Sequence, residues 1–136
     1  MRRVFGDSFF FIALLNPRDS FHQAAVESSR AWDGQIITTR WVLAEFGNAL
    51  CGVNARRSFV TFLEGLAEQE QIMVLPDSDS LFEQGTKLFS GRPDKEWSLT
   101  DCISFVAMQA CALEQALTGD HHFEQAGFRV VLKPPA

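Results

Sequence analysis

The stretch RVFGDSFFFIALL (residues 3–15) decides the fold class, because it is typical of one complete strand–turn–helix unit. Residues 3–5 are predicted to form a short strand that ends at Gly6 and Asp7, and residues 8–15 an apolar helix that Pro17 stops. Four more predicted strands follow, separated by predicted helices: 35–38, 72–75, 116–118 and 128–132. This alternation predicts an α/β domain of three layers, with a mostly parallel central sheet and helices on both faces.

Helix starts are predicted from side chains that can cap a first turn. Three serines stand three residues before a residue able to complete a capping box: Ser20, Ser80 and Ser98. Apolar residues at helical spacing predict two further helices, one over residues 40–51 and a longer one after it. The length of 136 residues and a hydrophobic content of 46% fit one domain over residues 1–136.

The first segment is basic and then apolar, but it does not match a secretory signal. Asp7 precedes the apolar run and no small-residue cleavage site follows it. The run of residues 9–15 is also shorter than the roughly 20 residues that cross a bilayer. Cys51, Cys102 and Cys111 form no C-x-x-C pair and are interpreted as reduced core thiols. We therefore expect a cytoplasmic protein that is not exported and has no membrane partner.

Four acidic residues stand out by their positions along this pattern. Asp7 and Asp120 follow predicted strands, Glu45 lies within an apolar helix, and Asp101 lies in the first turn opened by Ser98. Each has a simpler interpretation: Asp7 and Asp120 as helix caps, Asp101 as the partner in a capping box, and Glu45 as a solvated residue.

The four acids would converge if the first and fourth strands were neighbours, because ligands bind beyond the carboxyl ends of parallel strands. Two unit charges 4 Å apart repel by about 4 kcal/mol at an effective dielectric constant near 20. Such a cluster needs protons or a cation. Oxygen ligands without histidine or thiolate favour Mg²⁺ or Mn²⁺ over zinc. The net charge of −5 argues against a nucleic-acid partner unless bound metal offsets the carboxylates.

Four segments in order carry a resemblance to a known family: Asp7-Ser8, Glu45 after Thr38-Thr39, Trp97-Ser98-Leu99-Thr100-Asp101, and Leu117-Thr118-Gly119-Asp120-His121-His122-Phe123. The third resembles an S-x-T-D segment and the last a T-x-D-x-x-F segment. Over almost its whole length the chain resembles the PIN-domain ribonucleases, and within them the VapC-like toxins of toxin–antitoxin pairs. Gly6 departs from the family, which more often has an aliphatic residue there, and is expected to loosen the turn.

The resemblance implies a metal-dependent endoribonuclease in which Asp7, Glu45, Asp101 and Asp120 are catalytic and hold one or two Mg²⁺ or Mn²⁺ ions. Water, and no protein nucleophile, would attack the phosphodiester. The resemblance also implies an RNA substrate, a homodimer and an antitoxin protein as partners.

Substrate contacts are predicted from residues beside the four acids. Ser8, Ser98 and Thr100 are candidates for positioning waters or phosphate oxygens, and Arg40 for contacting phosphate from the helix of Glu45. The other basic candidates are interpreted as solvated charges: Arg18, Arg56, Arg57, Arg92 and Lys95. His121 and His122 are interpreted as surface residues at a helix start, and at most one is expected to face the site.

Three other functions fit parts of the pattern. A PIN-like nuclease of RNA processing, or one that acts on DNA, would share all four acids. A magnesium-dependent phosphatase would also use an aspartate after the first strand, but Asp7-Ser8-Phe9 lacks the D-x-D pair which that chemistry requires. A non-catalytic interaction module could keep the same fold.

Overall fold

A computed structural model describes residues 2–135 of the chain. The strands are β1 (Arg3–Gly6), β2 (Gln35–Thr38), β3 (Ile72–Val74), β4 (Gln115–Leu117) and β5 (Arg129–Val130). The helices are α1 (Ser8–Leu15), α2 (His22–Ala31), α3 (Arg40–Ala49), α4 (Val53–Gly65), α5 (Asp79–Gly91), α6 (Leu99–Ala110) and α7 (His121–Gln125), with a short 3-10 turn at Leu66–Glu68.

The five strands form one sheet in the order β3-β2-β1-β4-β5, and every pairing within it is parallel. The chain moves from β1 outward to β3 and then returns to the other side of β1 for β4 and β5. Because parallel crossovers are right-handed, this reversal places the connecting helices on opposite faces of the sheet. The predicted three-layer α/β architecture is confirmed.

Aromatic residues fill the core on both sides of the sheet. Beneath α1, α3 and α4, the ring of Phe46 packs 5.5 Å from Phe11 and 5.4 Å from Phe62, measured between centroids. Beneath α6 and α7, the ring of Phe105 packs edge-on against Phe123, 4.9 Å away. Such pairs add about 0.5–1.5 kcal/mol each beyond the area they bury.

The observed helix starts correct two predictions. The capping box at Ser98 is confirmed, with both of its hydrogen bonds present. The helix predicted to open at Ser80 begins at Asp79, and its cap is Ser78. Ser20 caps nothing, because α2 begins at His22 without a side-chain cap. The last predicted strand is shorter than expected and covers only Arg129–Val130.

Gly6 is closely packed at the end of β1, which contradicts the expectation that it loosens the turn before Asp7. A Cβ atom at this position would lie 2.8 Å from Cγ2 of Ile36 and 2.9 Å from Cζ of Phe11. Both distances are too short for carbon atoms, so these two side chains occupy the space that an aliphatic residue would need. The backbone that presents Asp7 is therefore packed from both sides.

The cysteine prediction holds for one residue. Cys102 is buried, but Cys51 is exposed and Cys111 is half-buried, and all three thiols are free. Cys51 lies in the short connection between α3 and α4, between the buried Leu50 and the exposed Gly52. Within residues 2–135, no helix combines the length and the apolar character that crossing a bilayer requires.

Ser104 on α6 is fully buried, and within residues 2–135 its hydroxyl oxygen has no hydrogen-bond partner. A buried hydroxyl without a partner costs roughly 1–3 kcal/mol. We therefore expect Ser104→Ala to raise the free energy of unfolding by up to about 1 kcal/mol in urea denaturation. Ser78→Ala is a matched control that removes the cap of α5 and should cost about 1 kcal/mol. Equal destabilisation by both variants would contradict the prediction.

Candidate active site

The carboxyl edge of the sheet carries all four predicted acids. Asp7 directly follows β1, and Asp120 lies three residues beyond the end of β4, which pairs with β1 at Gly6 and Leu117. Glu45 lies on α3, the helix that follows β2, and Asp101 lies in the first turn of α6. The first and fourth strands are neighbours, as the predicted cluster of acids required.

Asp7 is the most buried of the four, with 3% of its surface exposed. Its carboxylate does not cap α1; Oδ2 instead accepts a hydrogen bond of 2.8 Å from Oγ1 of Thr118. Burial raises the pKa of Asp7 to about 7, the hydrogen bond from Thr118 opposes the rise, and the negative charges of Asp101 and Glu45 add to it. Burial therefore favours the protonated form of this carboxyl group when no cation is present.

Asp101 takes part both in the capping box of α6 and in the acidic site. Its Oδ2 accepts hydrogen bonds of 3.1 Å from the backbone N–H of Ser98 and of 3.1 Å from Nδ1 of His122. Burial raises the pKa of Asp101, and the charge of Asp120 adds to the rise, while the bonds from Ser98 and His122 lower it. The capping interpretation and the site interpretation of this residue are thus compatible.

Asp120 and Glu45 line the more open part of the site. Oδ1 of Asp120 accepts a hydrogen bond of 2.9 Å from the backbone N–H of His122, so this carboxylate caps α7. Glu45 is half-buried and accepts a hydrogen bond from the hydroxyl of Ser8, which is buried. The hydroxyl of Ser8, a predicted substrate contact, therefore donates its hydrogen bond to Glu45.

The spacing of the donors can be compared with what a divalent cation needs. Within residues 2–135, only Asp120, His121 and His122 place three possible ligand atoms within 4.8 Å of one another. The four carboxylates interact electrostatically, but among the described residues no three of them lie this close together. Mg²⁺ usually keeps several waters and binds through one or two carboxylates, so a set of this width suits a hydrated ion or a pair of ions. The donor chemistry fits the predicted metal.

The residues predicted to contact substrate differ in their exposure and in the partners they already have. Ser98 is exposed at the start of α6, where its Oγ accepts a 2.9 Å hydrogen bond from the N–H of Asp101, and Thr100 is half-buried beside it. Arg40 forms a 2.7 Å ion pair with Asp77, in which both side chains are more than half exposed. Its guanidinium is thus paired with the connection that precedes α5, so a role in binding phosphate would need this ion pair to open.

The interpretation of both histidines as surface residues is wrong for His122. The side chain of His121 is 72% exposed, whereas that of His122 is 19% exposed and contacts two of the four acids. Both rings lie near Asp120, with Nδ1 of His121 3.7 Å from its Oδ1, but only the ring of His122 also reaches Asp101. The available signal was Asp120 itself: an aspartate that caps a helix accepts from the residue two positions on, which here is His122.

Thr118 is a further site residue to which the sequence assigned no role. It is fully buried, and its Oγ1 donates to Asp7 and accepts a 3.1 Å hydrogen bond from the N–H of Asp120. One hydroxyl thus joins the acids that follow β1 and β4. Because the side chain of Thr118 is buried, its hydroxyl needs a hydrogen-bond partner within the protein.

Thr118→Val is expected to lower the free energy of unfolding by about 1–3 kcal/mol, because it keeps the shape of the side chain but leaves two buried polar groups unpaired. Removal of the bond should also raise the pKa of Asp7 further. Chemical denaturation at pH 8 measures the first effect and carboxyl NMR titration the second. Thr86→Val, which loses one exposed helix hydrogen bond to Phe82, is the matched control. Equal stability of the two variants would contradict the assignment.

Three solved structures share this fold over nearly all of the chain. VapC20 of Mycobacterium tuberculosis, described as a toxin that cleaves the sarcin–ricin loop, has a TM-score of 0.85 and 25% identity, covering 97% of this chain and 99% of its own. VapBC-1 of nontypeable Haemophilus influenzae has a TM-score of 0.65 and 13% identity, covering 96% and 97%. FitAcB of Neisseria gonorrhoeae has a TM-score of 0.62 and 15% identity, covering 93% and 95%.

These structures confirm the predicted resemblance to the VapC-like proteins and the predicted fold class. No family model matches the chain, and no curated protein matches its sequence at a significant level. The similarity is therefore carried by the three-dimensional arrangement more than by overall sequence identity.

Proposed function

Since the chain shares the fold of VapC20 over nearly its whole length, we propose that it is an endoribonuclease and the toxin of a toxin–antitoxin pair. The observation that carries this proposal is the buried acidic group at the carboxyl edge of the sheet, where Thr118 and His122 hold three of the acids together. A fold alone does not define an activity, whereas a cluster of acidic side chains at one site indicates a specific chemistry.

We further propose that Asp7, Glu45, Asp101 and Asp120 bind Mg²⁺ or Mn²⁺. When bound, such a cation would supply positive charge against the phosphodiester and make a water molecule more acidic. Ser8 holds the carboxylate of Glu45, and Thr118 holds that of Asp7. Because the pKa of Asp7 is about 7, binding of a cation at neutral pH would release a proton from this residue, and affinity should rise with pH.

The net charge of −5 is compatible with an RNA substrate on this proposal. The acidic group accounts for four of the negative charges, and a divalent cation bound there would offset part of them. Ser98 and Thr100, at the start of α6 beside Asp101, are proposed to contact phosphate oxygens. Arg40 is the basic candidate nearest in sequence to Glu45, and would act once released from Asp77.

Partner proteins are proposed to use apolar surface that the chain leaves exposed. Val53, Val60 and Leu63 share one face of α4 and are 91%, 42% and 43% exposed. Phe82 and Phe89, two turns apart on α5, are 43% and 48% exposed. An antitoxin and a second copy of the chain are the occupants that the proposed function supplies for these faces.

The experiment that tests the activity is cleavage of a defined RNA by purified protein. A synthetic sarcin–ricin loop RNA is the first substrate to use, because VapC20 is described as cleaving that loop. Reactions would contain Mg²⁺, Mn²⁺ or EDTA, and the DNA of the same sequence would be tested in parallel. We expect cutting of RNA that depends on the metal; cutting of the DNA alone, or cutting unaffected by EDTA, would refute the proposal.

The toxin role is tested separately from the chemistry. Controlled expression should arrest growth, and co-expression of the protein encoded beside this gene should restore it. A nuclease of RNA processing would cut RNA in the first assay without arresting growth in the second. The two assays together thus separate the toxin from the nearest alternative.

A further inference from the structure

His122 contacts two acids that come from different parts of the chain. Its backbone N–H donates to Oδ1 of Asp120 at 2.9 Å, and its ring Nδ1 lies 3.1 Å from Oδ2 of Asp101. The same Nδ1 lies 3.5 Å from Oδ1 of Asp120. One residue therefore ties the start of α6 to the start of α7.

The chemistry of the contact fixes the role of the ring nitrogen. An ionised carboxylate only accepts hydrogen bonds, so the imidazole donates through Nδ1. A nitrogen that carries this hydrogen cannot also bind a metal ion, so Nε2 is the only nitrogen of this ring that could do so. The side chain is only 19% exposed, which limits competition from water for the bond.

Without His122, no hydrogen-bond donor within residues 2–135 would lie between these two negatively charged carboxylates. Asp101 and Asp120 carry like charges; Asp101 lies in the first turn of α6, and Asp120 is the N-cap of α7. Each is held by its own helix cap, but His122 alone among the described residues hydrogen-bonds to both. A donor placed between them offsets their repulsion and sets their separation.

We propose that His122 is a positioning residue, which holds the carboxylates of Asp101 and Asp120 near one another and affects the binding of a divalent cation through them. The inference rests on the proposed function and adds to it the residue that prepares the site. Removal of a partner of this kind typically weakens metal binding by about 10–100-fold.

The test measures binding of Mn²⁺ to the full chain by calorimetry, without RNA. His122→Asn attaches an amide nitrogen at Cγ, as Nδ1 is attached in histidine, and keeps a donor in place. His122→Leu removes the donor at similar size. His121→Leu tests the alternative that the two histidines bind the ion themselves, because the exposed ring of His121 belongs to the same group of possible ligands. Thermal unfolding of each metal-free variant reports whether the fold is kept.

We expect His122→Leu to weaken Mn²⁺ binding at least about tenfold, with His122→Asn within about threefold of the wild type and His121→Leu unchanged. Equal weakening by His122→Asn and His122→Leu would overturn the proposal, because it would mean that the ring itself binds the ion. Weakening by His121→Leu as strong as that by His122→Leu would overturn it in the same way.

Two further outcomes separate this inference from the proposed function. Unchanged affinity in His122→Leu, with Mn²⁺ bound by the wild type, would overturn the positioning role and leave the metal site standing. A wild-type protein that binds no Mn²⁺ would overturn both. If His122→Leu does not fold, the comparison of His122→Asn with the wild type decides, and a loss above tenfold in that variant refutes the proposal.

Discussion

Asp120→Asn is expected to lower the rate of RNA cleavage by roughly a hundredfold to a thousandfold, the size of effect seen when one group that stabilises charge is removed from an active site. The amide has the same shape, and its oxygen can still accept the hydrogen bond from His122 that caps α7. Asparagine and aspartate are about equally good helix caps. The substitution therefore removes one negative charge and leaves the structure around it in place.

Single-turnover cleavage with saturating Mn²⁺ measures this effect. Asp19→Asn is the matched control, because Oδ1 of Asp19 also accepts a backbone hydrogen bond, of 2.8 Å from Phe21, and Asp19 forms no part of the acidic group. We expect the control to cleave at the wild-type rate and both variants to unfold at the wild-type temperature. Full activity in Asp120→Asn would show that the site is misassigned or that a contaminating nuclease does the cutting.

Asp7→Asn should stabilise the metal-free protein at pH 8 by roughly 4 kcal/mol, a value that follows from 1.36 kcal/mol per pKa unit. The pKa of Asp7 is raised from 3.8 to about 7 in the folded protein, so the folded state binds its proton more tightly than the unfolded chain does. The contribution of Asp7 to the free energy of unfolding is then fully present below about pH 4 and is lost as the pH rises toward 7. Asparagine is neutral throughout, can accept the bond from Thr118, and avoids this loss.

Urea denaturation in EDTA from pH 3 to pH 8 tests the prediction. The difference between Asp7→Asn and the wild type should be near zero at pH 3, should grow between pH 4 and 7, and should then stay constant. Addition of Mn²⁺ at pH 8 should stabilise the wild type more than the variant. A difference that does not change with pH would mean that Asp7 ionises freely, and it would remove the physical reason for a cation at this position. The same variant should also lose RNA cleavage.

Much of the fold follows from local patterns in the sequence. Short apolar strands followed by helices predict a parallel sheet, and acids placed after strands predict a site at its carboxyl edge. The order of the strands does not follow, because hydrophobic patterns show which residues are buried but not which strands pair. The pairing of Phe5 with Ala116, which brings Asp7 toward Asp120, is visible only in the structure.

The remaining differences come from competition between similar residues. Ser78 and Ser80 are both able to cap α5, and the chain after Pro76 turns early enough for Ser78 to do so. Arg40 precedes Glu45 on one helix but finds a closer partner in Asp77, on the connection that precedes α5. A sequence shows the candidates, whereas three-dimensional distances decide between them.

The hydrogen bond between Thr118 and Asp7 joins residues 111 positions apart in the chain. During translation, at roughly 5–20 residues per second, Asp7 is therefore incorporated about 5–20 s before its partner Thr118. An unfinished chain has Asp7 and Glu45 but lacks Asp101, Thr118, Asp120 and His122. On the proposed function, a nascent toxin is harmless to the ribosome that makes it, and activity begins only when synthesis has passed the last of these residues.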